Sequence, residues 1–282
     1  MPSFAWVVLL GATVGFLAGM FGVGGNFLLV PLLSVVFGVP LPVAAGTGLC
    51  QMIGTALVSF LRHRHLRQGE VRFDLLMLAG SIVGADAGVR TLAALAEGGS
   101  VAGVPLVQVV VDSTFIVFLV GAAAVFWIEG GKPTTRAPLA RIRFGPAVFL
   151  PRIGVSVSAL VVAWVGFGLG FLSGLLGVGG GVALMPVLVY GFGFPIRQAA
   201  GTGIIVLLCT AAYGTVVHAL HGHVELPLAM ALLLGATPMA QLGAKTTARL
   251  PPETLRRVFS IVVVVTALAV AWDLGRRFTA GS

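Results

Sequence analysis

The chain has 282 residues, of which 58% are hydrophobic and 9% charged, and its mean hydropathy is +1.07. A soluble chain carries about 25% charged residues, so these side chains cannot tile a water-exposed surface and the sequence belongs in a bilayer. The formal charge of +8 does not point to nucleic acid, because the basic residues gather in three short loops, where a membrane protein keeps its cytoplasmic Lys and Arg.

A helix needs about 20 apolar residues to cross the hydrocarbon core. Segments 3–21, 43–61, 75–95, 104–128, 153–176, 199–217, 226–244 and 255–274 qualify. The N-terminus enters the first of them without a basic n-region or a small-x-small cleavage site, and is kept as part of the fold. Two further apolar stretches, 26–37 and 181–193, are too short to span. Each follows a glycine cluster and contains a proline, Pro31 or Pro186. Irregular backbone survives at membrane depth only inside protein or beside a wet cavity, so these two read as half-helices or re-entrant segments.

The glycine clusters are copies of one another. Shifting residues 15–48 by 155 positions onto 170–203 gives nineteen identities in thirty-four. They include Gly22-Val-Gly-Gly25 against Gly177-Val-Gly-Gly180, and Ala44-Ala-Gly-Thr-Gly48 against Ala199-Ala-Gly-Thr-Gly203. The chain is therefore an internal duplication.

Loops 62–74, 129–152 and 245–257 hold thirteen of the seventeen Lys and Arg residues, which places all three in the cytoplasm. Their counterparts in the other copy, 218–225 and 96–103, hold none. A loop that is basic in one copy and bare in the other implies opposite orientations. The expected fold is an all-α polytopic membrane protein of two inverted-topology repeats, with about eight full spans plus the two short segments. Residues 1–128 form the first repeat, 129–152 a cytoplasmic linker read as a plain loop, and 153–282 the second repeat.

A helix N-terminus exposes unpaired N–H groups and partial positive charge, and glycine lets a ligand approach the backbone closely. Gly22, Gly24, Gly25 and Asn26, with Gly177, Gly179, Gly180 and Gly181, are accordingly the candidate substrate residues. Thr47 and Thr202 are candidate hydroxyl donors to the same ligand, or else bond their own helix backbone. Glycines one turn apart, Gly11/Gly15/Gly19 and Gly166/Gly170/Gly174, suit close helix packing instead.

Ionisable residues at membrane depth are candidates for coupling or gating. Asp86 and Arg90 lie four apart and share a helix face, which suits a structural pair. Asp112 sits among Gln108, Ser113 and Thr114, while Gln51 and Gln241 are uncharged candidates. His218, His221 and His223 read as a wet loop, and Cys50 and Cys209 as buried apolar side chains. No metal site, cofactor motif, nucleophile–base pair or phosphate-binding loop is present, so the sequence is not read as an enzyme or an ATP-driven pump.

The doubled motif resembles the sulfite exporter TauE/SafE family. The matching residues run from Gly15 through Gly19 to Gly25, with Pro31 and Ala44–Gly48, and from Gly170 through Gly174 to Gly181, with Pro186 and Ala199–Gly203. Gly69-Glu-Val71 and Gly222-His-Val224 also fit. The departures are Asn26 at a glycine position, and Gly48 and Gly203 where many relatives carry Ser. The resemblance implies a multi-pass transporter in a bacterial-type cytoplasmic membrane, moving a small sulfur-containing anion such as sulfite, thiosulfate or an organosulfonate, often outward. A coupling proton or cation is an expected partner, and a homodimer stays open. Two other readings remain at this point: a channel-like pore, and an assembly or sensor subunit without flux.

Overall fold

The computed structural model describes residues 4–22, 24–65, 69–101, 104–128, 137–151, 153–176, 179 and 181–280. Gly177 and Gly180 lie outside the described residues, as do the linker's Lys132, Arg136 and Arg152. Among the described residues the fold is all-α apart from two small hairpins. The first repeat comprises α1 (Phe4–Phe21), α2 (Asn26–Val35), α3 (Leu41–His65), α4 (Val71–Ala96) and α5 (Leu106–Ile128). A two-residue hairpin, β1 (Ser100–Val101) with β2 (Val104–Pro105), joins the last two helices.

The second repeat comprises α7 (Ala159–Leu176), α8 (Gly181–Pro186), α9 (Ile196–Gly201), α10 (Ile204–Leu220), α11 (Leu226–Arg249) and α12 (Pro252–Ala280). Pro186 ends α8, which continues as a π-helical turn over Val187–Gly191. A proline removes one backbone donor and crowds the preceding turn, so the short helix loosens where the sequence places Pro186. Eight of the described helical stretches are long and apolar enough to cross a membrane, and they coincide with the eight expected spans. α2, of ten residues, is the short apolar helix between the first two.

The linker departs from the plain loop expected of it. It forms a short helix, α6 (Pro138–Arg141), and a hairpin in which β3 (Ala147–Leu150) pairs antiparallel with β4 (Val155–Ser158). The hairpin runs past the expected boundary at 152, because Val155-Ser-Val-Ser158 alternates apolar and polar side chains, the pattern of a half-buried strand. The fifth span, α7, consequently begins at Ala159 instead of 153.

Helix packing is exchanged between the copies. α1 lies along α11, and α7 lies along α4. Gly11, Gly15 and Gly19 press on the backbone of Leu232, Ala236 and Ala240, while Gly166, Gly170 and Gly174 press on Met77, Ser81 and Ala85. Adding 155 to each glycine of the first set and subtracting 155 from each of its partners gives the second set, so both copies use one packing solution. Small residues let helix backbones approach closely where lipid offers no hydrophobic driving force, and one-turn spacing keeps the three glycines on one face.

Equivalent helices meet head to tail. The Glu225 N–H, just beyond α10, donates to Thr47 Oγ1 near the start of α3 at 3.0 Å. The Glu70 N–H, just beyond α3, donates to Thr202 Oγ1 before α10 at 3.1 Å. These bonds are again 155 residues apart, and they set α3 antiparallel to α10. A buried bond of this kind contributes about 1 kcal/mol, and an orphaned donor costs about 1–3 kcal/mol. Thr47→Val and Thr202→Val are each expected to lower stability by roughly that amount, and thermal unfolding in detergent measures it.

Candidate functional site at the glycine turns

The site is built from the two copied glycine stretches and the middle of α3. Gly24 and Gly25 adopt φ of 77° and 76°, and Gly179 adopts 79°, left-handed values that side chains with a Cβ disfavour. Gly25 is the N-cap of α2 with no side chain capping it, and its carbonyl accepts from the Leu28 and Leu29 N–H groups. The turn therefore starts a helix at a point buried inside the protein.

Both turns converge on one side chain, Met52. A methyl group at Gly24 would come within 2.6 Å of the Met52 Cε, and one at Gly179 within 2.7 Å of it. Met52 is wholly buried. Its thioether fills the space between the turns, a role that suits an unbranched and adaptable side chain. Gly22 and Gly25 pack elsewhere, Gly22 on the Ala200 carbonyl and Gly25 on Ala18 and Val14.

Two buried carboxamides belong to the same stretches of chain, Asn26 following the first turn and Gln51 preceding Met52 on α3. Asn26 is wholly buried, with its side-chain oxygen against the α-carbon of Gly48. Gln51 precedes Met52 and is 1% exposed, and neither polar atom of its amide has a hydrogen-bond partner among the described residues. A buried amide without partners is costly, so Gln51 is the polar group here with capacity for a ligand. In the second copy its equivalent is Val206, which lines a small cavity with Gly179, Ser81, Ser173 and Thr210. Gly181, the counterpart of Asn26, is buried at the start of α8.

The remaining candidates are dispersed. The Thr47 and Thr202 hydroxyl oxygens serve the joints between copies, and Thr202 also donates to the Gln198 carbonyl at 2.8 Å. Asp86 and Arg90 form the expected pair at 2.8 Å on an exposed face, where the Tyr213 hydroxyl also donates to Asp86 at 3.2 Å. Gln241 is exposed on α11. Asp112 is buried and accepts from Gln108 Nε2 at 2.8 Å, in a second pocket that also contains Ser34 and Asp273.

Of the histidines, His221 is exposed in the turn after α10, as a wet loop requires, while the other two lie deeper. His218 and His223 are half-buried with ring centroids 5.8 Å apart, and both press on Gly46 of α3. Among the described residues no group of His, Cys, Asp and Glu is placed to hold a metal ion, and both cysteines are free.

Sequence reasoning missed three residues here. Met52 carries no signal among the apolar residues of its helix. Asp273 lies near the C-terminal end of the last span, where an acid reads as a boundary. Asp74 was counted into a basic loop, yet it is 2% exposed in the first turn of α4, where its Oδ1 accepts from the Gly203 N–H.

Known proteins resemble the chain over nearly its whole length. The family described as "Sulfite exporter TauE/SafE" matches residues 7–270. A probable membrane transporter protein of Bacillus subtilis, YunE, is 25% identical, with 96% of this chain and 98% of that protein aligned. Probable membrane transporter proteins of Methanocaldococcus jannaschii and Xylella fastidiosa are 23% and 25% identical, each over 93% of this chain and over 93% and 92% of their own lengths. No solved structure matches the chain. With eight apolar spans and a match over nearly its whole length, this multi-pass chain belongs to the TauE/SafE sulfite exporter family of membrane transporters.

Proposed function

We propose that the chain is a secondary exporter of a small sulfur-containing anion, such as sulfite, thiosulfate or an organosulfonate, across the bacterial cytoplasmic membrane. The observation that carries this reading is the meeting of the two glycine turns on Met52, the residue that follows Gln51, whose buried amide has no partner among the described residues. An oxyanion accepts hydrogen bonds from backbone N–H groups and from a carboxamide NH₂ without needing a buried Lys, whose charge is expensive at membrane depth. Gly24, Asn26, Gln51 and Gly179 form the binding centre, and Met52 occludes it until the anion enters.

The antiparallel set of α3 and α10 supports inverted repeats, and hence access that alternates between the two sides around a fixed central site. Flux of radiolabelled sulfite in proteoliposomes tests the reading. Saturable counterflow is expected, whereas flux linear in concentration indicates a channel and no flux sinks the transport assignment. Gln51→Leu removes the unpartnered amide without changing the helix. It is expected to keep the protein folded and to weaken apparent sulfite affinity about tenfold, equivalent to about 1.4 kcal/mol.

A further inference from the structure

The joint between the end of α3 and the start of α10 contains a buried acid that its twin joint lacks. On this side the Gly69 N–H donates to Gln198 Oε1 at 3.2 Å, the Glu70 N–H donates to Thr202 Oγ1, and the Asp74 carboxylate takes the Gly203 and Ile205 N–H groups. Asp74 thus caps the start of α10 from another helix. Phe73 beside it meets Phe192 and Phe194 edge-on, with ring centroids 5.0 and 5.1 Å away, so the joint is packed tightly.

The twin joint serves as an internal control. It keeps the equivalent bond, from the Glu225 N–H to Thr47, but Ala229 stands where Asp74 would be, and α3 runs unbroken through Gly48. The acid is therefore not required to close such a joint. It accompanies the break between α9 and α10, which only the second copy has. Glu70 is the other acid facing Asp74, and Arg197 on α9 is engaged with the Leu250 carbonyl at 3.0 Å. No cation is paired with Asp74 among the described residues.

We infer that Asp74 is the proton-binding residue that couples anion export to the proton gradient, by holding or releasing the helix break at Gly203. This rests on the transport reading above. As a carboxylate, Asp74 makes charge-assisted bonds to Gly203 and Ile205, roughly twice as strong as neutral ones. A proton arriving from water adds to one carboxylate oxygen and gives the neutral acid. The N–H bonds weaken and the start of α10 can reorient beside Leu184 and the Gly179 cavity, which it adjoins. Loss of the proton restores the carboxylate and re-forms the break.

The test uses the full chain in proteoliposomes with radiolabelled sulfite and an entrapped pH dye. Wild type is expected to move protons with sulfite and to accumulate sulfite against its gradient when a pH difference is imposed. Asp74→Asn should retain sulfite counterflow and lose the pH-driven accumulation. Both proteins carry the same anion, so protonation of sulfite itself cancels in the comparison. Sulfite flux without proton movement in wild type, or pH-driven accumulation retained in Asp74→Asn, overturns this inference alone. Absence of all sulfite flux overturns the transport reading and this one with it. If Asp74→Asn does not fold, Asp74→Glu keeps the acid and is expected to shift the pH profile of accumulation, and an unchanged profile overturns the assignment.

Discussion

Gly170→Leu is expected to give no monodisperse protein in detergent, whereas Gly168→Leu, two residues earlier on the same helix, leaves yield and thermal stability near wild type. Gly170 sits against the backbone of Ser81, where even a methyl group overlaps, while nothing lies within 4 Å of a Cβ at Gly168, which faces outward. One surplus methylene in a packed core costs about 1–3 kcal/mol. A leucine wedged between two backbones cannot be absorbed by a rotamer change and must separate the helix axes along α4 and α7. The penalty then spreads to Gly166 and Gly174, which depend on the same close approach. Size-exclusion profiles of the two variants measure the difference, and equal behaviour would show that the glycine stripe does not set the packing.

The second large effect concerns Gly179 and Met52. Gly179→Ala places a methyl group 2.7 Å from the Met52 thioether and forces alanine into a left-handed conformation. That conformation alone costs roughly 1–2 kcal/mol, and the overlap with Met52 adds to it. Met52→Ala alone opens a cavity, a change that costs about 2–5 kcal/mol in a packed core. The double variant is expected to be more stable than the two single losses add up to, because the smaller side chain makes room for the new methyl group. Residues in direct contact show coupling energies of about 0.5–3 kcal/mol, and a value at the upper end is expected here. Unfolding in detergent reports the coupling, and sulfite flux in the same four proteins reports whether the space between the turns is the transport site. Additive behaviour would place Met52 away from the glycine turns.

Much of the architecture was legible before any coordinates. The eight spans follow from apolar length alone, and the copied glycine stretches mark where the membrane helices are interrupted. Loops that are basic in one copy and bare in the other give the expectation of opposite orientations, and α3 and α10 lie head to tail. Partners were harder to read. The hydroxyls of Thr47 and Thr202 bind backbone about 180 and 130 residues away in sequence, and local spacing carries no trace of such contacts. Met52 is one apolar residue among many, and its position between two turns exists only once three helices have assembled. Asp74 lay at the edge of a run of arginines, so charge counting absorbed it, although the first turn of α4 buries it completely. The β3–β4 hairpin escaped for a related reason: its alternating strand abuts an apolar helix, and length-based reading merged the two.

The exchanged pairing of α1 with α11 and of α4 with α7 has a consequence for biosynthesis. Domains of most proteins fold as they emerge, N-terminal part first. Here the glycine face of α1 has no partner until residues 226–249 have been synthesised and inserted, close to the end of translation. Until then the first helix must wait in lipid with its narrowest face unoccupied. The nascent first half is therefore an unfinished intermediate, and the last helices to leave the ribosome close the molecule around it.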